Sequence, residues 1–176
     1  MAALQRAVVI VAVLCGVSWA GGISYKRYIN VRFAYGISYP AGVLIPQGEA
    51  DNGDGQKFVS KDKRVEMLAY GSTNADLMDE MDVVTIRAIH ARDLAFAKED
   101  HPDRRITYQR FGKDWYVVSG FEGGKVFYSK VMKRKDDSDS VTFYISYPKS
   151  SAGKYDPIVA AISKSMKLLK GPYTVR

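Results

Sequence analysis

The stretch 105-RITYQRFGKDWYVVSGFEGGKVFYSKVMKRKDDSDSVTFYISY-147 decides the fold. It divides into four runs, Arg105–Phe111, Asp114–Ser119, Lys125–Arg134 and Ser140–Tyr147, separated by Gly112-Lys113, Gly120–Gly124 and Lys135–Asp139. Runs rich in β-branched and aromatic residues, punctuated by short glycine-rich or polar turns, predict an antiparallel meander. Trp115-Tyr116-Val117-Val118 and Phe143-Tyr144-Ile145 are bulky at successive positions. Successive strand residues point to opposite faces, so this sheet needs cover on both sides.

The flanking sequence supplies that cover. On the C-terminal side Asp156 suits a helix cap and Pro157 the first helical position. Ile158, Ile162, Met166 and Leu169 then recur at helical spacing, and Gly171-Pro172 ends the pattern. On the N-terminal side the spacing predicts one long helix from Asp76 to about Lys98, with Leu77, Met81, Val84, Ala88, Ala91 and Ala95 as its apolar stripe. Met78, Ile89 and Phe96 widen the stripe. Asp76, Asp79, Glu80 and Asp82 crowd its first turns, where carboxylates favour the helix dipole. Upstream, Gln56–Ser60 and Val65–Tyr70 read as a hairpin around Lys61–Arg64, and Gly71–Ala75 as a break. Phe33, Tyr35, Ile37 and Tyr39 alternate with small residues as an opening strand that Pro40 ends. Ala41–Gln47 reads as a connector and Gly48–Gly55 as a turn-rich loop. The order predicts an α+β fold: an antiparallel β-sheet of about six to seven strands sandwiched by helices.

The first 20 residues carry a separate message. Arg6 is followed by the apolar run Ala7–Val17, interrupted by Gly16, and by the small-residue exit Ser18-Trp19-Ala20. This pattern predicts a signal peptide over 1–20, with an uncleaved N-terminal anchor as its alternative. Residues 21–27 read as a linker and 28–176 as a single α+β domain. The expected location is periplasmic or secreted, or anchored to the inner membrane by the N-terminal segment. Contact with the membrane is expected only in that uncleaved form. Cys15 is the single cysteine and follows Leu14, where a lipobox wants a small residue. Cleavage after Ala20 removes it, and with it any disulfide, thiol nucleophile or cysteine-based zinc site. Export also excludes chemistry that draws on cytosolic ATP or NADPH. The formal charge of +7 falls to +6 when Arg6 is lost with the leader. A modestly basic exported domain meets anionic envelope material or an acidic partner, not nucleic acid.

The element order, with Phe33-Ala34-Tyr35-Gly36-Ile37-Ser38-Tyr39-Pro40 at the start and Tyr155-Asp156-Pro157-Ile158-Val159 at the last helix, resembles the PsbP-like fold. That fold is named for an extrinsic photosystem II protein and is shared by a nuclear Ran-binding protein. The block Asn52–Ser60 is similar to a segment of small, uncharacterised, exported bacterial proteins. The resemblance spans residues 28–170. It implies a domain that docks onto larger assemblies and has no catalytic residues common to its family. The partner-binding N-terminal segment of the photosystem member has no counterpart here, so the resemblance does not imply a photosynthetic role.

Candidate sites are few. Glu49, Asp51 and Asp54 place three carboxylates in one glycine-rich loop, a donor set that suits a hard cation such as calcium. Gly53 and Gly55 stand where an EF-hand needs oxygen ligands. Asn52 and Asp54 in that loop, and Lys130 and Lys133 in the densest basic stretch, are the candidate ligand-binding residues. Alternation puts Lys130 with Arg134 on one strand face and Lys133 with Lys135 on the other. His90 and His101 lack companions at metal or triad spacing, and no Gly-x-Ser-x-Gly elbow surrounds Ser119 or Ser129. The 12 tyrosines lie largely on strands, where they edge a core or stack on a ligand. The sequence therefore predicts a non-catalytic exported envelope or periplasmic interaction domain that binds a protein or envelope polymer. The alternative is a cation or small-ligand module centred on the Glu49–Asp54 loop.

Overall fold

The computed structural model describes residues 22–170. The elements run β1 (Tyr25–Asn30), β2 (Tyr35–Pro40), β3 (Leu44–Glu49), β4 (Gly55–Ser60), β5 (Glu66–Thr73), α1 (Ala75–Glu80), α2 (Ile86–Asp100), β6 (Arg105–Phe111), β7 (Trp115–Glu122), β8 (Lys125–Lys133), β9 (Asp139–Pro148), α3 (Ala152–Ser165) and β10 (Lys167–Leu168). Seven strands form one antiparallel sheet in the order β3-β4-β5-β9-β8-β7-β6. A second, three-stranded sheet has the order β1-β2-β10. The meander β6–β9 lies where the sequence places it, and the fold is α+β.

Alternation along the strands separates two cores. Met67 and Ala69 on β5 and Val141, Phe143, Ile145 and Tyr147 on β9 face the small sheet and α3, where they meet Tyr35, Ile37, Ile158 and Ile162. The intervening positions of β7 and β8, Tyr116, Val118, Phe127 and Val131, face the other way and pack against Leu77, Val84, Ile86 and Ile89. This is the two-sided cover that the doubly apolar strands require.

Several boundaries differ from expectation, each for a local reason. The single helix over Asp76–Lys98 is two helices. Val83, Val84 and Thr85 are β-branched and stiff in a helix. Thr85 instead caps α2 by accepting from the Ala88 N–H at 3.1 Å. The Val84 N–H donates to the Asp137 carboxylate at 3.1 Å, and the Val84 side chain is buried. Residues 25–27, read as linker, begin β1 because Tyr25, Lys26 and Arg27 pair with Pro40, Tyr39 and Ser38. The connector and the start of the loop form β3, an edge strand that tolerates Pro46 and carries a bulge between Pro46 and Glu49. Gly71 does not break β5, which continues to Thr73. At the C-terminal end α3 starts at Ala152, so Asp156 and Pro157 are internal. Asp156 accepts from the Tyr147 hydroxyl at 2.7 Å instead of capping. The helix stops at Ser165, and Lys167-Leu168 pair with Gly36 and Tyr35 as β10. The signal peptide expected over residues 1–20 lies outside the described residues. Among the described residues no helix is long and apolar enough to cross a membrane.

Candidate functional site

Helix α2 buries only Ile86 and Ile89, both at its N-terminal end. Its second half stands off the sheet and roofs a cleft of about 480 Å³. The roof carries His90, Asp93, Leu94, Ala97 and His101, spaced along one helix face. The floor is one face of β5, β9, β8 and β7. Leu68 lies opposite Tyr144, Tyr144 opposite Ser129, and Ser129 opposite Val118, so a single row crosses four strands. Phe96 is 60% exposed at α2, outside the stripe to which its spacing assigned it.

Charge in the cleft is arranged in linked pairs. The Glu122 carboxylate is held by Arg104 at 2.5 Å and by His101 Nδ1 at 3.2 Å, and accepts from the Tyr144 hydroxyl at 3.1 Å. The Arg104 guanidinium also lies 4.7 Å from the Phe127 ring centroid and 5.9 Å from that of Tyr144. Burial, reinforced by the Glu122 charge, pushes the Tyr144 hydroxyl up to about 12. At neutral pH it is a hydrogen-bond donor, not a nucleophile. Deeper in, Tyr116 donates to Asp93 at 2.6 Å, and Asp93 is paired with Arg92 at 3.2 Å. Burial and the adjacent Asp93 raise the Tyr116 pKa as well. His90 packs edge-on against Phe111 and Tyr116, each 4.9 Å away, and its buried Nε2 has no hydrogen-bond partner among the described residues. Burial is the main cause of its lowered pKa. The cleft therefore presents donors and acceptors held in fixed positions by their partners.

The residues expected from sequence lie elsewhere. Glu49 accepts from Tyr28 at 2.6 Å, and Asp54 accepts from Asn52 Nδ2 at 2.8 Å. The Asn52 carbonyl accepts from Arg32 and the Gly53 carbonyl from Asn30 at 2.9 Å. A guanidinium on a loop carbonyl opposes a cation there, and among the described residues no three carboxylates or imidazoles converge to hold a metal. Glu49, Asp51 and Asp54 do not converge as a set of three in this structure. Lys130 and Lys133 do lie on opposite sheet faces. Lys130 donates to the Ser163 carbonyl of α3 at 2.8 Å, whereas Lys133 is buried against Asp137. Arg134, from the same basic stretch, clamps the Phe33 and Ala34 carbonyls. The cleft residues Asp93, His101, Arg104 and Glu122 were missed because they are brought together from α2, the loop after it and β7. The signal in the sequence was the frequency of tyrosine on strands, with Tyr70, Tyr116 and Tyr144 among them.

No protein-family model and no curated protein sequence matches the chain. Solved structures do. The solution structure of cyanobacterial PsbP (CyanoP) from Synechocystis sp. PCC 6803 aligns with a TM-score of 0.59 at 14% identity, over 88% of this chain and 98% of that one. The crystal structure of the Saccharomyces cerevisiae Ran-binding protein Mog1p aligns with a TM-score of 0.54 at 11% identity, over 84% of this chain and 97% of that one. Identities this low speak to backbone architecture alone. With its seven-stranded antiparallel sheet between α3 and α1–α2, and these alignments, the chain has the PsbP-like fold.

Proposed function

We propose that this chain is a non-catalytic, exported interaction domain that grips a protein or envelope polymer in the cleft between α2 and the large sheet. One observation carries the reading. Helix α2 buries apolar side chains only at its N-terminal end, and the space under its second half is lined by hydroxyls and paired charges. Such a surface recognises by hydrogen bonding and shape. The fold is shared with a Ran-binding protein, which supports binding as a use of this architecture. Residues 1–20 support export, and cleavage or anchoring decides whether the domain is released or tethered.

The test is comparative cross-linking in an envelope fraction with the wild-type chain and a Lys125→Glu, Tyr70→Ala variant. Both positions line the cleft, and Tyr70 is 36% exposed. A partner captured by the wild type and lost in the folded variant supports the cleft. An identical cross-linking pattern refutes it. Cell fractionation with N-terminal sequencing tests export, which fails if the intact chain is found in the cytoplasm.

A further inference from the structure

The opposite face of the sheet holds a second feature, built from different residues. Helix α3 covers β9 and leaves a groove of about 650 Å³ beside β7 and β8. Phe121, Val126 and Tyr128 form its sheet wall. The helix wall is Val159, Ala160 and Ser163, small enough to leave room for another chain alongside. Phe121 is 37% exposed, although it stands on an interior strand.

Three cations line this groove: Lys130, Lys149 and Lys164. Among the described residues none of them pairs with a carboxylate. The groove's one acid, Asp156, is engaged by the Tyr147 hydroxyl at 2.7 Å. Lys149 lies 5.3 Å from the Phe121 ring centroid. Lys130 is half-buried at the floor and spends one donor on the Ser163 carbonyl at 2.8 Å. An ammonium has three donors, so two remain for an anion. Burial without a neighbouring carboxylate lowers the Lys130 pKa, the condition an incoming anion would relieve.

We propose that this groove docks an acidic segment of a partner protein, with a carboxylate on Lys130 and an apolar side chain against Phe121 and Val126. Charge complementarity selects an anionic occupant. The apolar floor selects one that also carries hydrophobic side chains, which a uniformly charged polysaccharide lacks. The surface recedes between helix and sheet, so a flat bilayer does not reach Lys130. The inference goes beyond the cleft reading and is independent of it, because the two sites lie on opposite faces of the sheet.

The experiment is an NMR titration of the isotope-labelled full chain. The probe is a synthetic peptide of about ten residues alternating glutamate with leucine and phenylalanine, a length that can span such a groove. Three comparison arms use the glutamine version of the peptide, heparin, and vesicles of equal phosphatidylglycerol and phosphatidylcholine. The expected result is saturable shifts at amides of Ser119–Tyr128 and Ala160–Lys164, with His90–His101 unmoved. Lys130→Met, which keeps the aliphatic bulk, should weaken binding about tenfold, about 1.4 kcal/mol. The exposed pair Lys149→Gln, Lys164→Gln disturbs no core contact and should reduce the salt dependence of affinity. The proposal is overturned if the glutamine peptide binds equally, if Lys130→Met and the double variant both leave affinity unchanged, or if the shifts map to the cleft. Tighter binding to heparin or vesicles than to the acidic peptide also overturns it.

Discussion

Replacing Gly71 by alanine tests how the turn before β2 is seated on the large sheet. Gly71 sits within β5 opposite Val141, and its N–H donates to the Asp54 carbonyl at 2.8 Å. A Cβ placed there lies 2.5 Å from Phe33 Cβ and 2.6 Å from Phe33 Cδ1. Carbon atoms rest at about 3.5–4.0 Å, so the ring must retreat by about 1 Å or more. Phe33 is 9% exposed, and its N–H is fixed by Asn30 Oδ1 at 2.8 Å, so the retreat opens the junction between the two sheets. Overpacking of this kind costs about 1–3 kcal/mol, which for a domain this size lowers Tm by about 2–12 °C. Phe33→Ala alone should cost about 3 kcal/mol as a cavity. Combined with Gly71→Ala, the added methyl occupies part of the vacated space, so the double variant should be at least about 1 kcal/mol more stable than the two costs added together. Urea unfolding of the four proteins measures this coupling. Additivity within about 0.5 kcal/mol would refute the claim that the ring rests on Gly71.

Three further outcomes follow from the same contacts. Arg134→Met removes the donor to the Phe33, Ala34 and Leu169 carbonyls and should cost about 2–4 kcal/mol in urea unfolding, with Arg134→Lys recovering less than half because an ammonium lacks the guanidinium fork. Tyr116→Phe deletes the 2.6 Å bond to Asp93, should cost about 1–2 kcal/mol, and should speed amide exchange in the second half of α2, read by hydrogen-exchange mass spectrometry. His90 is held below its ordinary value of 6.5, chiefly by burial, with Arg87 adding to the effect and Asp93 opposing it. The unfolded chain therefore takes up the proton first as pH falls. Its contribution to stability is complete above 6.5 and declines as pH drops through the folded-state value. His90→Phe keeps the edge-on aromatic packing and removes this titration, so the Tm difference between wild type and variant should move in the variant's favour from pH 7.5 to pH 5. A constant difference would argue against it.

Much of the fold was readable locally. The runs of β6–β9 are rich in β-branched and aromatic residues and are interrupted by glycine and charged turns, and they form the strands predicted from them. The errors fell where a distant group overrides local preference. Asp137 accepts from Val84 and helps split the predicted long helix. The Phe33 ring selects glycine within β5, where a glycine reads locally as a break. Tyr25–Arg27 look like a polar linker because an edge strand with one exposed face has little apolar pattern to show. The candidate sites were less legible. Lys130 was singled out by charge density alone, and its neighbours Phe121, Lys149 and Lys164 come from separate elements.

The amino-acid sequence by itself determined the class of fold, the doubly covered sheet and the division of Lys130 and Lys133 between its faces. These follow from side-chain period and turn chemistry, which act over a few residues. Only the tertiary structure decided which polar groups meet. Glu122, His101, Arg104 and Tyr144 converge because β7 and β9 both flank β8 and the chain leaves α2 above them. Their pairing depends on distances across the sheet, and spacing along the chain does not encode those distances.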